Sequence, residues 1–461
     1  MPEVPLQRIH LVGIGGAGMS GLARILLARG VSVSGSDAKD SRVLAALSAL
    51  GAQVWVGHEP DHIGDAEVVV TSTAIRPDNP EVVAARDHGL LIVPRAAMLA
   101  ALMDGSKGVA IAGTHGKTTT TSMLAVALQR CGLDPSFAIG GDLNDAGSNA
   151  HHGTGDFFIA EADESDGSFL LLRPFVAVIT NIEADHLDHH GTPEAVYAAF
   201  DDFAANVDPA GFLVTCADDP RAQRLADRRL DVGATVVTYG VDLGADLVIA
   251  DLDLLPDGAA FVPIHRGRRL DRLQLRVRGI HNASDAAAAL LVGLELGLPY
   301  ADLSAGLTQF TGARRRFEVK GEAGGITVVD DYAHHPTEIR ATLTAAHEFA
   351  GTNRVVAVFQ PHLYSRTQFF GTEFGEALGL ADEVVVMDVY GAREQPVPGV
   401  SGALVANAVP LDPGLVHYEP SWTSVAGLVA RIAHPGDVVV TLGAGDVTQL
   451  GPEVLRALGL V

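Results

Sequence analysis

The chain has 461 residues, 48% of them apolar, and a formal net charge of −24. That length exceeds what one hydrophobic core supports and points to about three domains, and the acidic balance argues against a nucleic-acid or anionic membrane surface as partner. Two cysteines, Cys131 and Cys216, exclude a disulfide framework and point to a reducing cytoplasm, and no apolar run is long enough to span a bilayer.

Residues 8–103 repeat an order of apolar run, turn and helical stretch, the pattern of parallel βαβ units. Ile9-His10-Leu11-Val12 opens it, and Gly13-Ile14-Gly15-Gly16-Ala17-Gly18 follows as a G-x-G-x-x-G loop, with Asp37 about twenty residues further on. Such a loop places a pyrophosphate at a helix start and a carboxylate on a ribose. Its glycines also break up the first apolar stretch, so no secretory leader is expected. Residues 104–107 read as a linker.

Gly108-Val109-Ala110-Ile111-Ala112 then predicts a buried strand, and Gly113-Thr114-His115-Gly116-Lys117-Thr118-Thr119 a phosphate loop, with a helix over 122–129. Backbone N–H groups and the helix dipole favour phosphate there. Lys117 adds a point charge for the β- and γ-phosphates, and the Thr118 hydroxyl reaches Mg²⁺. The loop is a shorter variant of the usual pattern, because Ile111 stands where the first glycine belongs. A second phosphate loop also weakens an NAD-enzyme reading of the first. A nucleoside diphosphate carried by the substrate itself fits the first loop better, with a purely structural glycine turn as the alternative.

Glu161-Ala162-Asp163-Glu164-Ser165-Asp166 closes the next apolar run, where carboxylates suit a hard cation such as Mg²⁺. Asn181-Ile182-Glu183-Ala184-Asp185-His186-Leu187-Asp188-His189-His190-Gly191 ends the one after; its histidines and aspartates suit metal ligation, proton transfer or an ordinary loop. Residues 245–278 alternate apolar and polar, as antiparallel hairpins do, and 282–296 form a helix. From Arg314 the strand–helix alternation resumes, with a loop over 391–402. Arg314-Arg315-Arg316-Phe317-Glu318 offers cations to phosphate or merely a solvated charge run. Asp330-Asp331-Tyr332-Ala333-His334-His335-Pro336 and Gln360-Pro361-His362-Leu363-Tyr364-Ser365-Arg366-Thr367 place protonatable groups at strand ends, and Gly443-Ala444-Gly445-Asp446 follows the last strand. Both cysteines are expected to be buried apolar residues.

In order and spacing these motifs resemble the Mur ligase family across nearly the whole chain, and its alanine-adding branch most closely. The resemblance implies a three-domain α/β fold: an N-terminal Rossmann-like domain for a UDP-sugar (1–103), a central P-loop ATPase domain with antiparallel hairpins (104–312) and a C-terminal Rossmann-like domain for an amino acid (313–461). It implies that ATP drives the joining of L-alanine to UDP-N-acetylmuramate, a cytoplasmic step of peptidoglycan synthesis, with no nucleic acid or membrane involved. Mapped residue by residue, Gly113 to Thr119 hold ATP phosphates, and Thr118, Glu161 and His186 serve Mg²⁺. His281, Asn282, Arg316 and Asp331 contact ATP, and Tyr332, His334 and Arg366 lie near alanine. Gly15, Gly16, Asp37, Ser72 and Thr73 line the UDP-sugar site. Lys117, His186 and His334 are the implied catalytic groups.

Three positions depart from the family pattern. Phe200 stands where many relatives carry a carbamylated lysine, an absence shared by the alanine-adding branch. Asp285 replaces a usual asparagine and is left outside the expected site, and Leu363 replaces a frequent arginine. The rivals are a tripeptide-recycling ligase acting on the same UDP-sugar, an NAD-dependent dehydrogenase and a non-catalytic nucleotide-binding regulator. Lys117, Thr118 and the carboxylates disfavour the last.

Overall fold

A computed structural model describes residues 4–140, 149–392 and 394–459; residue 393, within the expected 391–402 loop, lies outside them. The chain folds as two compact units. One comprises Met1–Ala250, Val262–Leu273 and Ser284–Phe310, the other Asp251–Phe261, Gln274–Ala283 and Thr311–Val461.

The first unit contains a five-stranded parallel sheet in the order Gln53–Val56, Ser32–Asp37, Arg8–Val12, Val68–Thr71, Leu91–Pro94. The chain leaves its central strand in both directions, so the crevice at the strands' carboxyl ends is a topological switch point, where α/β sheets take ligands. The first glycine loop and Ser72 follow strands at that end, and Asp37 is the last residue of its strand.

A second sheet runs Val236–Gly240, Phe212–Cys216, Val176–Ile179, Lys107–Ala112, Phe157–Glu161 and Ser136–Ala138 in parallel, with Ala150–His151 antiparallel at the edge. Lys107–Ala112 sits between two buried neighbours, with Ile111 beside Glu161 and Ala112 beside Ile179. The phosphate loop, the acidic run and the Asn181 loop therefore leave the sheet side by side. Gly258–His265 and Arg268–Arg269 form one of the expected antiparallel hairpins.

The helix after the phosphate loop begins at Lys117, five residues before the expected start. Four consecutive threonines have weak helix propensity, but all four are buried here. The Thr121 hydroxyl donates to the Lys117 carbonyl at 2.7 Å and the Ser122 hydroxyl to that of Thr118 at 2.6 Å. Burial of all four outweighs weak propensity and the slight cost of such back-bonds.

The second unit holds a six-stranded sheet: Glu318–Ala323 as an antiparallel edge, then Ile326–Asp331, Val438–Leu442, Val355–Phe359, Glu383–Val386 and Val416–Tyr418 in parallel. Three sheets, two Rossmann-like and one carrying the phosphate loop, make the three-domain α/β fold. Cys216 is buried, but Cys131 is only half-buried because it caps the end of the Lys117–Arg130 helix. Among the described residues, no helix is long and apolar enough to cross a membrane.

Candidate active site

Two glycines fix the phosphate loop. Gly113 has φ 131°, and a Cβ there would fall 2.0 Å from the Thr180 hydroxyl; Gly116 has φ 83°, and its Cβ would fall 2.4 Å from an Asp285 oxygen. Asn181 clamps the span between them: its Oδ1 accepts from the His115 N–H at 2.9 Å, and its Nδ2 donates to the His115 carbonyl at 3.1 Å. Gly116 caps the Lys117–Arg130 helix in left-handed backbone with no side-chain hydrogen bond to the first turn, a helix start of the kind that suits an anion.

Lys117 Nζ donates to the carbonyls of Gly113 (2.6 Å) and Thr114 (3.1 Å) and to the Glu164 carboxylate (2.9 Å). Burial works against its charge, but Glu164, Asp163 and Glu161 together hold the ammonium above the ordinary lysine value. Glu164 is 2% exposed. Burial pushes its carboxyl up to about 7 against the pull of Lys117, with Asp163 adding to the push. The Thr118 hydroxyl donates to both Glu161 oxygens, at 3.0 and 3.1 Å, and the Gly140 N–H reaches one of them at 2.7 Å. His186 has a left-handed backbone, φ 54°, and its Nε2 lies 3.8 Å from Glu164 and 3.6 Å from Asp185. Lys117, Thr118, Glu161 and His186 thus gather around the loop, while Thr119 is buried in the helix behind it. A hydroxyl and a carboxylate are the oxygen donors a hard cation such as Mg²⁺ takes, and His186 adds a nitrogen at the margin.

At the first glycine loop the Gly15 N–H donates to Asp37 Oδ2 at 3.0 Å, and Gly16 caps the Ala17–Ala28 helix without a side-chain bond. The Asn149 amide, buried, donates to the Ala17 carbonyl at 2.5 Å and so ties this helix to the central sheet's edge. Ser72 and Thr73 follow Val68–Thr71, where the Ser72 carbonyl accepts from the Ile75 N–H at 3.0 Å. Behind Asp37 lies a buried network. Glu81, fully buried, accepts from the Ser36 hydroxyl at 2.5 Å and lies 3.5, 3.2 and 3.0 Å from ring nitrogens of His10, His58 and His62. Burial would raise its carboxyl, yet the bonds from His10, Ser36 and His62 hold it down at about 2.

In the second unit, Arg315 and Phe317 both adopt left-handed backbone, with φ 59° and 50°. This turn lets the Phe317 N–H donate to Asp331 Oδ2 at 2.7 Å, while the Ala333 N–H donates to Oδ1 at 2.8 Å. Burial pushes Asp331 up to about 6, with Arg316 and these bonds opposing. Arg315 donates to the carbonyl of Gly443 at 2.6 Å and lies 4.7 Å over the Tyr332 ring, so it is built into the fold and is no solvated charge. Arg316 lies 3.6 Å from Glu338 and 5.4 Å over the same ring. His334 is 3.1 Å from Glu338, with its ring 5.1 Å from that of Tyr332. His281 is half-buried beside Asn282; burial, with Arg316 nearby, lowers its imidazole to about 4 and keeps it neutral. Leu363 has φ 69° and caps the Tyr364–Leu378 helix, whose first turn carries the buried Arg366. Bulky side chains in left-handed backbone store strain, and such positions cluster at functional sites. Among the described residues, four such positions lie in the motifs: His186, Arg315, Phe317 and Leu363.

Glu164 stood in the acidic run without a role of its own; its partner Lys117 lies too far along the sequence for any local pattern to show it. Asp285, left outside the expected site, sits under the loop, where its Oδ1 accepts from the Thr120 hydroxyl at 3.0 Å. Phe200 is fully buried edge-on against Phe169, with centroids 5.5 Å apart, so this position is core.

A phosphate loop that starts a helix with Lys117 and Thr118, faced by Glu161 and Glu164, marks a nucleotide-binding protein of the phosphate-loop class. The profile of the Mur ligase family, catalytic domain, matches residues 8–107; that of the Mur ligase middle domain matches 111–293; and that of the Mur ligase, glutamate ligase domain, matches 315–445. The chain belongs to the Mur ligase family. It is 59% identical over 456 residues to the UDP-N-acetylmuramate–L-alanine ligase of Saccharopolyspora erythraea, covering 98% of this chain and 93% of that one. Its fold is similar to that of the UDP-N-acetylmuramate-alanine ligase MurC of Thermotoga maritima, at 29% identity and a TM-score of 0.81, covering 97% of this chain and 98% of that one. A murein peptide ligase of Psychrobacter arcticus is less similar, at 25% identity and a TM-score of 0.73, with 99% of each chain covered.

Proposed function

We propose that this chain is the alanine-adding ligase of the family: it joins L-alanine to the lactyl carboxylate of UDP-N-acetylmuramate in the cytoplasm, with ATP converted to ADP and phosphate. The observation that carries this is the phosphate site, where Lys117 and Thr118 begin a helix opposite Glu161 and Glu164. The likeness to alanine-adding relatives, and a buried Phe200 where other branches carry a modified lysine, support alanine over later amino acids.

The lactyl carboxylate attacks the γ-phosphorus, ADP leaves, and an acyl phosphate forms; the alanine amine then adds to the acyl carbon and phosphate departs. Phosphoryl transfer is mostly positioning and charge neutralisation. Lys117 exchanges Glu164 and two carbonyls for phosphate oxygens. Thr118 and Glu161, with His186 beside them, would hold Mg²⁺, which when bound neutralises charge between the phosphates. Gly15, Gly16, Asp37, Ser72 and Thr73 receive the UDP-sugar. His281, Asn282, Arg316 and Asp331 serve ATP, and Tyr332, His334 and Arg366 serve alanine.

The functional division follows residues 1–103, 104–312 and 313–461. The test is phosphate release from ATP with UDP-N-acetylmuramate. Release that depends on L-alanine supports the reading; release that depends on a tripeptide and ignores alanine would assign the chain to the recycling branch.

A further inference from the structure

Arg95 opens the Arg95–Met103 helix straight after the Leu91–Pro94 strand, at the same end of the first sheet as the glycine loop. Met98 and Leu99 bury that helix, so the base of the arginine is fixed while its head is 26% exposed. The head lies against the third glycine of the loop: a Cβ on Gly18 would fall 2.9 Å from Arg95 Nη1 and 3.0 Å from its Cδ. In the usual reading this glycine permits helix–strand packing; here it makes room for a guanidinium. Arg95 Nη2 is 3.6 Å from Asp163 Oδ2, whose carboxylate is 39% exposed. That is too long for a good hydrogen bond. Arg95 therefore stands between the first helix start and the acidic run beside the phosphate loop, loosely held by its only ion pair among the described residues.

We propose that Arg95 grips the diphosphate of the UDP-sugar over Gly18 and releases Asp163 as it does so. This rests on the reading of the first glycine loop as a nucleoside-diphosphate site. A planar guanidinium offers two parallel donors to phosphate oxygens, and Asp163 competes for the same group. Diphosphate binding then returns a carboxylate to the acidic run that faces Lys117, which couples the two nucleotide sites through one side chain.

Calorimetric titration of uridine, UMP and UDP into the full chain tests this. Arg95→Ala should weaken UDP on the order of a hundredfold while leaving uridine unchanged, and Arg95→Lys should recover part of the loss. Asp163→Asn should tighten UDP severalfold, and that gain should vanish in the Arg95→Ala background. Unchanged UDP affinity in Arg95→Ala, or equal weakening of uridine, would overturn the grip. A gain that persists without Arg95, or no gain at all, would overturn the release. A parent chain that binds no uridine nucleotide would instead sink the reading of the loop.

Discussion

Glu81→Gln probes how the UDP-sugar end of the first sheet is held. Two strands, the loop that carries His58, a 3₁₀ turn and a helix meet at this carboxylate, through His10, Ser36, His58 and His62. Its carboxyl drops from 4.5 to about 2 on folding. At about 1.4 kcal/mol per unit, that linkage contributes about 3 kcal/mol. The sign follows from the lowered value: the contribution is fully present above the unfolded value near 4.5 and disappears as pH falls through the folded value near 2. The glutamine side chain keeps the shape but not the charge. At pH 7 the variant should melt roughly 6 °C below the parent, taking about 2 °C per kcal/mol for a body of this size.

Melting followed by circular dichroism at pH 7, 5.5, 4 and 3 gives the difference between the two proteins. Other shifted carboxyls act on both and cancel. The gap should hold from pH 7 to 5.5 and narrow from 4 downward. A gap of equal size at every pH would mean that shape, and not charge, sets the contribution; no gap at pH 7 would refute the network's role. Because Ser36 precedes Asp37, which accepts from Gly15, the variant should also bind UDP more weakly.

Lys117→Ala should cut turnover roughly a thousandfold, the scale on which a charge-stabilising donor acts, while the UDP-sugar dissociation constant stays within about twofold; near-normal ligation would rule out the ATP site. Gly113→Ala cannot keep φ 131° or its approach to Thr180, so it should cost about 2 kcal/mol or more and abolish ATP binding. A variant that binds ATP normally would contradict the loop geometry. Arg366→Ala should raise the alanine KM about a hundredfold and leave the KM values for ATP and UDP-sugar unchanged. Equal weakening of all three substrates would give Arg366 to the fold and withdraw it from alanine.

What was legible in the chain was local. Each glycine loop, the acidic run and the Asp331 and Gln360 motifs directly follow an apolar strand, so strand periodicity placed them at the sheets' binding ends. The Lys117 helix start was misread because propensity says nothing of the packing that buries four threonines. Lys117 with Glu164, Gly116 with Asp285, Arg95 with Asp163 and Glu81 with its histidines are all long-range pairs. Their spacing carries no period; only the order of strands brings them together. The left-handed backbones at His186, Arg315, Phe317 and Leu363 were equally hidden, since residue type predicts the opposite there.

In the proposed reaction the lactyl carboxylate itself takes the γ-phosphoryl group before the amine attacks. UDP-N-acetylmuramate labelled with ¹⁸O in that carboxylate, turned over with ATP and L-alanine, reports this transfer in the phosphate released. Mass spectrometry should find one labelled oxygen in each phosphate released, with ADP as the other product. Phosphate free of label, or release of AMP and pyrophosphate, would contradict the mechanism.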